Sequence, residues 1–147
     1  MESTPLAEGQ QVLGRYEIMA TAGQGGMGTV YCARCLQTGG LVALKVLSHA
    51  GERPEEAERF LREARILQSL QSLQHPAIVS YIEHGVLENG SQFLVMEWLD
   101  GEDLATYLAR TSLTLQQSLT VARRAASALA AAHGIGIVHR DRSTKNK

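Results

Sequence analysis

Ala22-Gly23-Gln24-Gly25-Gly26-Met27-Gly28-Thr29-Val30 is the stretch whose reading decides the fold. Its glycines let the backbone turn sharply and approach a ligand that a Cβ would hold off. The residues that follow, Tyr31-Cys32-Ala33-Arg34-Cys35, continue a run rich in β-branched and aromatic side chains from Thr29, which reads as a strand. The glycines therefore close a hairpin. Two other glycine-rich nucleotide loops are excluded by that geometry, because the dinucleotide fold and the P-loop both run their glycines directly into a helix. The first also needs an acidic residue about 20 positions beyond the last glycine, where Ser48 and His49 stand. The second needs Gly-Lys-Ser/Thr, and this loop contains no lysine.

The lysine comes later, in the apolar run Leu41-Val42-Ala43-Leu44-Lys45-Val46-Leu47, which reads as a buried strand. Only Lys45, Lys145 and Lys147 are lysines, so Lys45 stands alone across the first 144 residues. An ammonium in the middle of so apolar a strand is costly unless paired, and it asks for an anion and a carboxylate. A glycine-rich hairpin followed by Val-Ala-Leu-Lys resembles the ATP-binding lobe of the protein kinase family. The glycine pattern alone is a weak signal, and joined to the lysine on the third strand it is a strong one.

Composition frames this reading without deciding it. At 147 residues and 44% hydrophobic content the chain can bury a core, and its formal net charge of −1 gives no electrostatic case for nucleic acid or an anionic membrane surface. The N-terminus has neither a basic nor an apolar leader region, and no window is apolar for long enough to cross a bilayer. A soluble, cytoplasmic protein is expected. Cys32 and Cys35 form a C-x-x-C pattern, but residues three apart on a strand face opposite sides and no second pair accompanies them, so two structural thiols are the preferred reading over a metal or redox site.

In chain order, residues 1–14 read as a flexible lead-in and Arg15 to Ala20 as the first strand. Thr29 to Cys35 and Leu41 to Leu47 follow as the second and third, with a turn at Gln37 to Gly40. Pro54 suits a first helical position, and Glu55, Glu56 and Glu58 place negative charge at the helix N-terminus. Ala57, Phe60, Leu61, Ala64 and Leu67 recur at helical spacing and define a buried face. Glu63 lies beside it and is the best-placed carboxylate for Lys45; the competing assignment is a solvated partner of Arg59 or Arg62. The kinase resemblance implies that Glu63 is the helix-C glutamate whose ion pair holds the lysine over the α- and β-phosphates.

The segment Gln68-Ser69-Leu70-Gln71-Ser72-Leu73 is a tandem repeat, and the resemblance to His-Pro-x-Ile-Val at His75 to Val79 resumes about three residues later than is usual in the family. Three residues is nearly one helical turn, so the helix can lengthen without reversing its buried face. Ile78 to Glu83 and Ser91 to Glu97 read as the last two strands, around Glu88-Asn89-Gly90. In the resemblance, Val30 and Ala43 cover one face of adenine, Met96 is the gatekeeper, and the backbone at Glu97 and Leu99 meets the adenine edge. Asp100-Gly101-Glu102-Asp103-Leu104 resembles a helix start leaving that hinge. From Thr114 to His133 a helix carries apolar residues on two faces, which calls for enclosure.

His139-Arg140-Asp141 resembles the family's catalytic loop, so Asp141 matches the aspartate that accepts the substrate hydroxyl proton and Asn146 the metal-binding asparagine. Between them Arg142-Ser143-Thr144-Lys145 departs from Leu-Lys-Pro-x, and Ser143 removes both a cation expected near the transferred phosphoryl group and the marker that separates serine/threonine from tyrosine specificity. No Asp-Phe-Gly or Ala-Pro-Glu is present, so the resemblance covers about half of the catalytic domain. Its style is that of bacterial-type serine/threonine kinases.

The expected fold is α+β: a kinase-like N-lobe and hinge over residues 15–99, made of a five-stranded antiparallel sheet plus helix C, then a partial C-lobe over 100–147. The implied function is serine/threonine protein kinase, with ATP and Mg²⁺ as cofactors and a protein hydroxyl as acceptor, involving neither nucleic acid nor membrane. Lys45, Glu63 and Asp141 are the expected catalytic residues, Ala22 to Val30 with Ala43, Lys45, Met96, Glu97 and Leu99 the nucleotide-binding ones, and Asn146 the metal ligand. The chain by itself is expected to lack activity. The alternative is a noncatalytic, pseudokinase-like nucleotide-binding or interaction fragment.

Overall fold

Alternating apolar residues build the sheet from its middle strands outward. The structure, a computed structural model, describes residues 5–25, 28–47 and 53–138. Among them β1 (Gln11–Val12), β2 (Tyr16–Gly25), β3 (Gly28–Cys35), β4 (Leu41–Leu47), β5 (Tyr81–Val86) and β6 (Gln92–Glu97) form one antiparallel sheet in the order β1-β2-β3-β4-β6-β5. Helix α1 (Pro54–Leu70) follows β4, and α2 (Leu104–Arg110) and α3 (Leu115–Gly134) follow β6. The chain divides into a sheet unit, Met1–Ser72 with Val79–Asp100, and a helical unit, Leu73–Ile78 with Gly101–Lys147.

Strand periodicity sorts the side chains of the sheet onto two faces. Tyr16, Ile18, Tyr31, Ala33, Val42, Leu44, Val46, Phe93 and Val95 bury one face together with Val12. On the other, Leu47 and Leu94 meet Phe60 and Ala64 of α1, with Ala57, Leu67, Tyr81 and Met96 partly buried around them. Phe60 and Ala64 are four residues apart on the helix, the spacing that stacks two side chains on one face. Pro54 occupies the start of α1 as expected, and Glu55 and Glu56 sit in its first turn.

The five expected strands form, and a sixth is added. Gln11–Val12 lies inside the segment read as a flexible lead-in, yet it pairs with β2, and Val12 is buried while the Leu6 N–H donates to the Tyr31 hydroxyl at 3.1 Å. The sequence hid this strand because its hairpin needs Leu13 at φ 56° beside Gly14 at φ 62°, a left-handed position that leucine resists by roughly 1–2 kcal/mol. Burial of Val12 offsets that cost. The fourth expected strand also shifts, from Ile78–Glu83 to Tyr81–Val86. His75 to Ile78 is taken by a turn in which the Ile78 N–H reaches the His75 carbonyl at 3.1 Å and the Ala77 N–H the His75 Nδ1 at 3.1 Å.

The sheet curls far enough that side chains join strands four places apart in its order. Arg15 donates to Glu83 on β5 at 2.9 Å, and the Tyr16 hydroxyl donates to the same carboxylate. Burial, reinforced by that hydrogen bond to a carboxylate, pushes the Tyr16 hydroxyl far above its ordinary pKa.

The helical unit has a different character. Asp103 caps α2 by accepting from the Thr106 N–H at 2.7 Å. Thr114 and Gln117 form a reciprocal capping box at the start of α3. His75, tethered by Nε2 to the Ser127 hydroxyl at 2.9 Å, joins the connector to α3. The two apolar faces expected on α3 are present, but among its described residues only Ala132 is buried, while Leu119, Val121 and Leu129 are exposed.

Candidate functional site

Register places the candidate residues in two rows across the sheet. Cys32 on β3, Ala43 on β4 and Met96 on β6 are consecutive partners, as are Val30, Lys45 and Leu94. All six share one face, because partners in register point the same way and neighbouring rows are two residues apart. Ala43 is small and buried, and in its row it stands between Cys32 and Met96. Cys32 was visible in the sequence only as half of a possible metal pair; it lies opposite Cys35, which packs toward the other core. Burial, with Asp100 nearby, raises the Cys32 thiol pKa, whereas a hydrogen bond with Thr38 lowers that of Cys35.

Lys45 is met by Glu63 from α1. Its Nζ donates to both carboxylate oxygens, at 3.1 and 2.9 Å, and stands 5.7 Å from the centre of the Phe60 ring. The expected pairing is therefore present in the geometry, and Arg59 and Arg62 are not the partners. The side chains are 16% and 37% exposed, so the pair adds no more than about 1 kcal/mol of stability. Its consequence is orientational: a flexible four-carbon chain ends in an ammonium fixed at one point.

The hairpin above these rows pairs Gly23 with Val30, Gln24 with Thr29 and Gly25 with Gly28, while Ala22 sits at a register shift between Thr21 and Gly23. Gly26 and Met27 lie outside the described residues. The glycines differ in what they do for the fold. Gly28 has φ 110°, and a Cβ there would come within 2.2 Å of the Val46 carbonyl oxygen, so packing demands glycine. At Gly23 and Gly25 a Cβ would meet nothing within 4 Å. Among the described residues, packing gives no reason for glycine at these two positions.

At the end of β6 the Glu97 N–H donates to the Ser80 carbonyl at 2.9 Å and its carboxylate accepts from the Ser80 N–H at 2.7 Å. Its side chain thus has a partner that sequence reading missed, since a bond to a residue 17 positions earlier has no local signature. Leu99 is 65% exposed beyond the strand. Asp141, Asn146 and the departure at Arg142 to Lys145 lie outside the described residues. Among the described residues no cluster of His, Cys, Asp or Glu could hold a metal ion.

A glycine hairpin over a curled antiparallel sheet, with a strand lysine paired to a helix glutamate, defines a protein kinase N-lobe. The protein kinase domain family matches residues 16–146, and the chain belongs to it. Among curated relatives it is 36% identical over 140 residues to the serine/threonine-protein kinase pkn3 of Myxococcus xanthus and 39% identical over 136 residues to PrkC of Bacillus subtilis. These alignments take in 94% and 90% of this chain but only 25% and 20% of those proteins. In the crystal structure of the Mycobacterium tuberculosis PknI kinase domain, the match has a TM-score of 0.74 at 32% identity, covering 93% of this chain and 54% of that one. The chain thus spans about half of a solved kinase domain.

Proposed function

We propose that this chain is the nucleotide-holding part of a serine/threonine protein kinase, which transfers the γ-phosphoryl group of ATP to a protein hydroxyl with Mg²⁺. The bidentate Lys45–Glu63 contact carries the reading. Glu63 fixes the ammonium of Lys45, which is then aimed at the anionic oxygens of a bound nucleotide. Gly23 and Gly25 let the hairpin backbone descend on the phosphates, and Val30 and Ala43 supply apolar contact for the base, with Met96 at its back edge and the backbone of Glu97 and Leu99 along its polar edge. Lys45, Glu63 and Asp141 are assigned the catalytic roles, with Asp141 receiving the proton of the acceptor hydroxyl. Asn146 is assigned to the metal, which when bound screens the phosphate charge. Among the described residues no helix is long and apolar enough to cross a membrane, and the cytoplasm, where ATP is supplied, is the proposed location.

Binding of a fluorescent ATP analogue with Mg²⁺ to the 147-residue chain tests the reading. Lys45→Met should weaken it about tenfold to a hundredfold, the factor carried by a hydrogen bond to a charged group. Glu63→Gln keeps the shape and a hydrogen bond, and should cost less. Equal affinity in wild type and Lys45→Met, with unchanged circular dichroism, would overturn the assignment.

A further inference from the structure

The tandem repeat Gln68 to Leu73 stands just before the point where the family resemblance resumes about three residues late, and the structure gives its second copy a partner. Helix α1 ends at Leu70, and Gln71–Leu73 continues as a single 3-10 turn. The turn is tied back to the helix by the Gln71 N–H to the Leu67 carbonyl and by the Ser72 hydroxyl to the Ser69 carbonyl at 3.0 Å. Gln74, at φ 45°, then swings the chain away. From this turn the Gln71 side-chain Oε1 accepts the Tyr81 N–H at 3.0 Å, at the first residue of β5.

Tyr81 is a firm anchor. It pairs in register with Met96, packs against the Leu47, Phe60, Ala64 and Leu94 cluster, and its hydroxyl is bonded to His84 Nδ1 at 2.7 Å. At the opposite end of α1, the Arg53 guanidinium donates to Glu56 of the first turn at 2.9 Å. The C-terminal end of α1 is thus bonded to β5 through Gln71, and Glu63 rides on the helix two turns before it, about 12 Å away at 1.5 Å per residue.

We infer that Gln71 is a positioning residue: by bonding the Tyr81 N–H it latches the end of α1 to β5 and so holds Glu63 against Lys45. The inference deepens the proposed function, whose lysine and glutamate it takes over, but the latch itself involves no nucleotide. The second repeat copy, Gln71 to Leu73, supplies both the turn and the glutamine of the latch.

The test uses the ligand-free chain. Reaction of Lys45 with an amine-acylating reagent is followed by mass spectrometry, with Lys145 and Lys147 as internal references, since the chain has no other lysine. Glu63→Gln should speed Lys45 acylation by replacing the ionic partner that engages its Nζ with a neutral amide. Gln71→Met keeps helix-forming character but lacks the acceptor, and should speed acylation of Lys45 and hydrogen exchange at the Tyr81 amide by about two- to fivefold, the factor that one solvent-accessible hydrogen bond carries. Gln71→Glu retains an acceptor oxygen and should restore both rates. A Gln71→Met protein whose Lys45 reacts at the wild-type rate overturns the inference, as does a Glu63→Gln protein with no change. With no nucleotide in the assay, failure of the ATP reading and failure of the latch are separate results.

Discussion

In the sheet unit Leu44, Leu94 and Val95 are wholly buried, whereas in the helical unit Leu115 stands 78% and Leu119 56% exposed. The two regions draw on different sources of order. Partners in the sheet unit come from far apart in sequence, as when Phe60 packs on Leu94 or Arg15 reaches Glu83. In the helical unit most bonds are local: the Asp103 cap, the Thr114–Gln117 box, and the Arg110 guanidinium bonded to Glu102 eight residues earlier and lying over the Tyr107 ring at 5.2 Å. Long-range burial gives cooperative order, while caps and helical hydrogen bonds give order that frays one turn at a time. Lys45, the candidate phosphate-binding residue, and its partner Glu63 lie in the cooperative region.

The sharpest way to break this contrast is a pair of truncations. Phe60, 1% exposed, fills the space between α1 and β4 and β6, so Phe60→Ala should destabilise the sheet unit by about 3–5 kcal/mol. Leu119→Ala removes an exposed side chain and should stay within about 0.5 kcal/mol. Urea titration followed by circular dichroism reads both. Comparable losses would mean that the apolar face of α3 contributes as much burial as the face of α1.

How far these features were legible follows from the same division. The glycine hairpin, Lys45 and the Phe60–Ala64 stripe announce themselves because each is a local pattern: a turn signal, a lone charge in an apolar run, a helical period. The Lys45–Glu63 pairing was readable because an ammonium in such a strand demands a carboxylate, and Glu63 stands beside the buried stripe. Closure of the sheet through Tyr16 and Glu83 was not readable, since nothing local links residues 67 positions apart. Nor was β1, whose turn places a leucine where sequence rules expect glycine or asparagine. Gln71 fell between the two: the repeat was conspicuous, but only the position of β5 reveals what its second copy reaches.

A smaller effect tests that closure. The raised pKa of Tyr16 means that its neutral form is favoured in the folded state. The sign follows: the contribution is complete below the unfolded pKa of about 10, and it is lost as pH rises beyond that value toward the folded one, because only the unfolded chain then gains from ionising. Wild type should therefore lose stability above about pH 10 with a slope of up to about 1.4 kcal/mol per pH unit from this group. Tyr16→Phe should lower stability at pH 7 by about 1 kcal/mol and show a shallower alkaline limb in denaturant titrations. Tyr81, also raised by burial, is present in both proteins and cancels in the difference. Parallel alkaline limbs would mean that the Tyr16–Glu83 bond does not persist in solution.

The smallest expected effect isolates local order in the helical unit. Thr114 accepts from the Gln117 N–H at 3.1 Å while Gln117 accepts from the Thr114 N–H at 2.9 Å, so two of the orphan donors at the start of α3 are satisfied reciprocally. Thr114→Ala removes the hydroxyl, frees the Gln117 N–H, and should cost about 1 kcal/mol of α3 stability. Since few α3 side chains are buried, that loss should fall on the helix alone. Hydrogen exchange resolved by peptide should then quicken about fivefold across Leu115 to Ala122, one kcal/mol being a factor of that size, while peptides covering β3, β4 and α1 exchange at the wild-type rate. If the mutation instead quickens exchange at Leu44 and Leu94, the two units unfold as one, and the division between cooperative and local order is wrong.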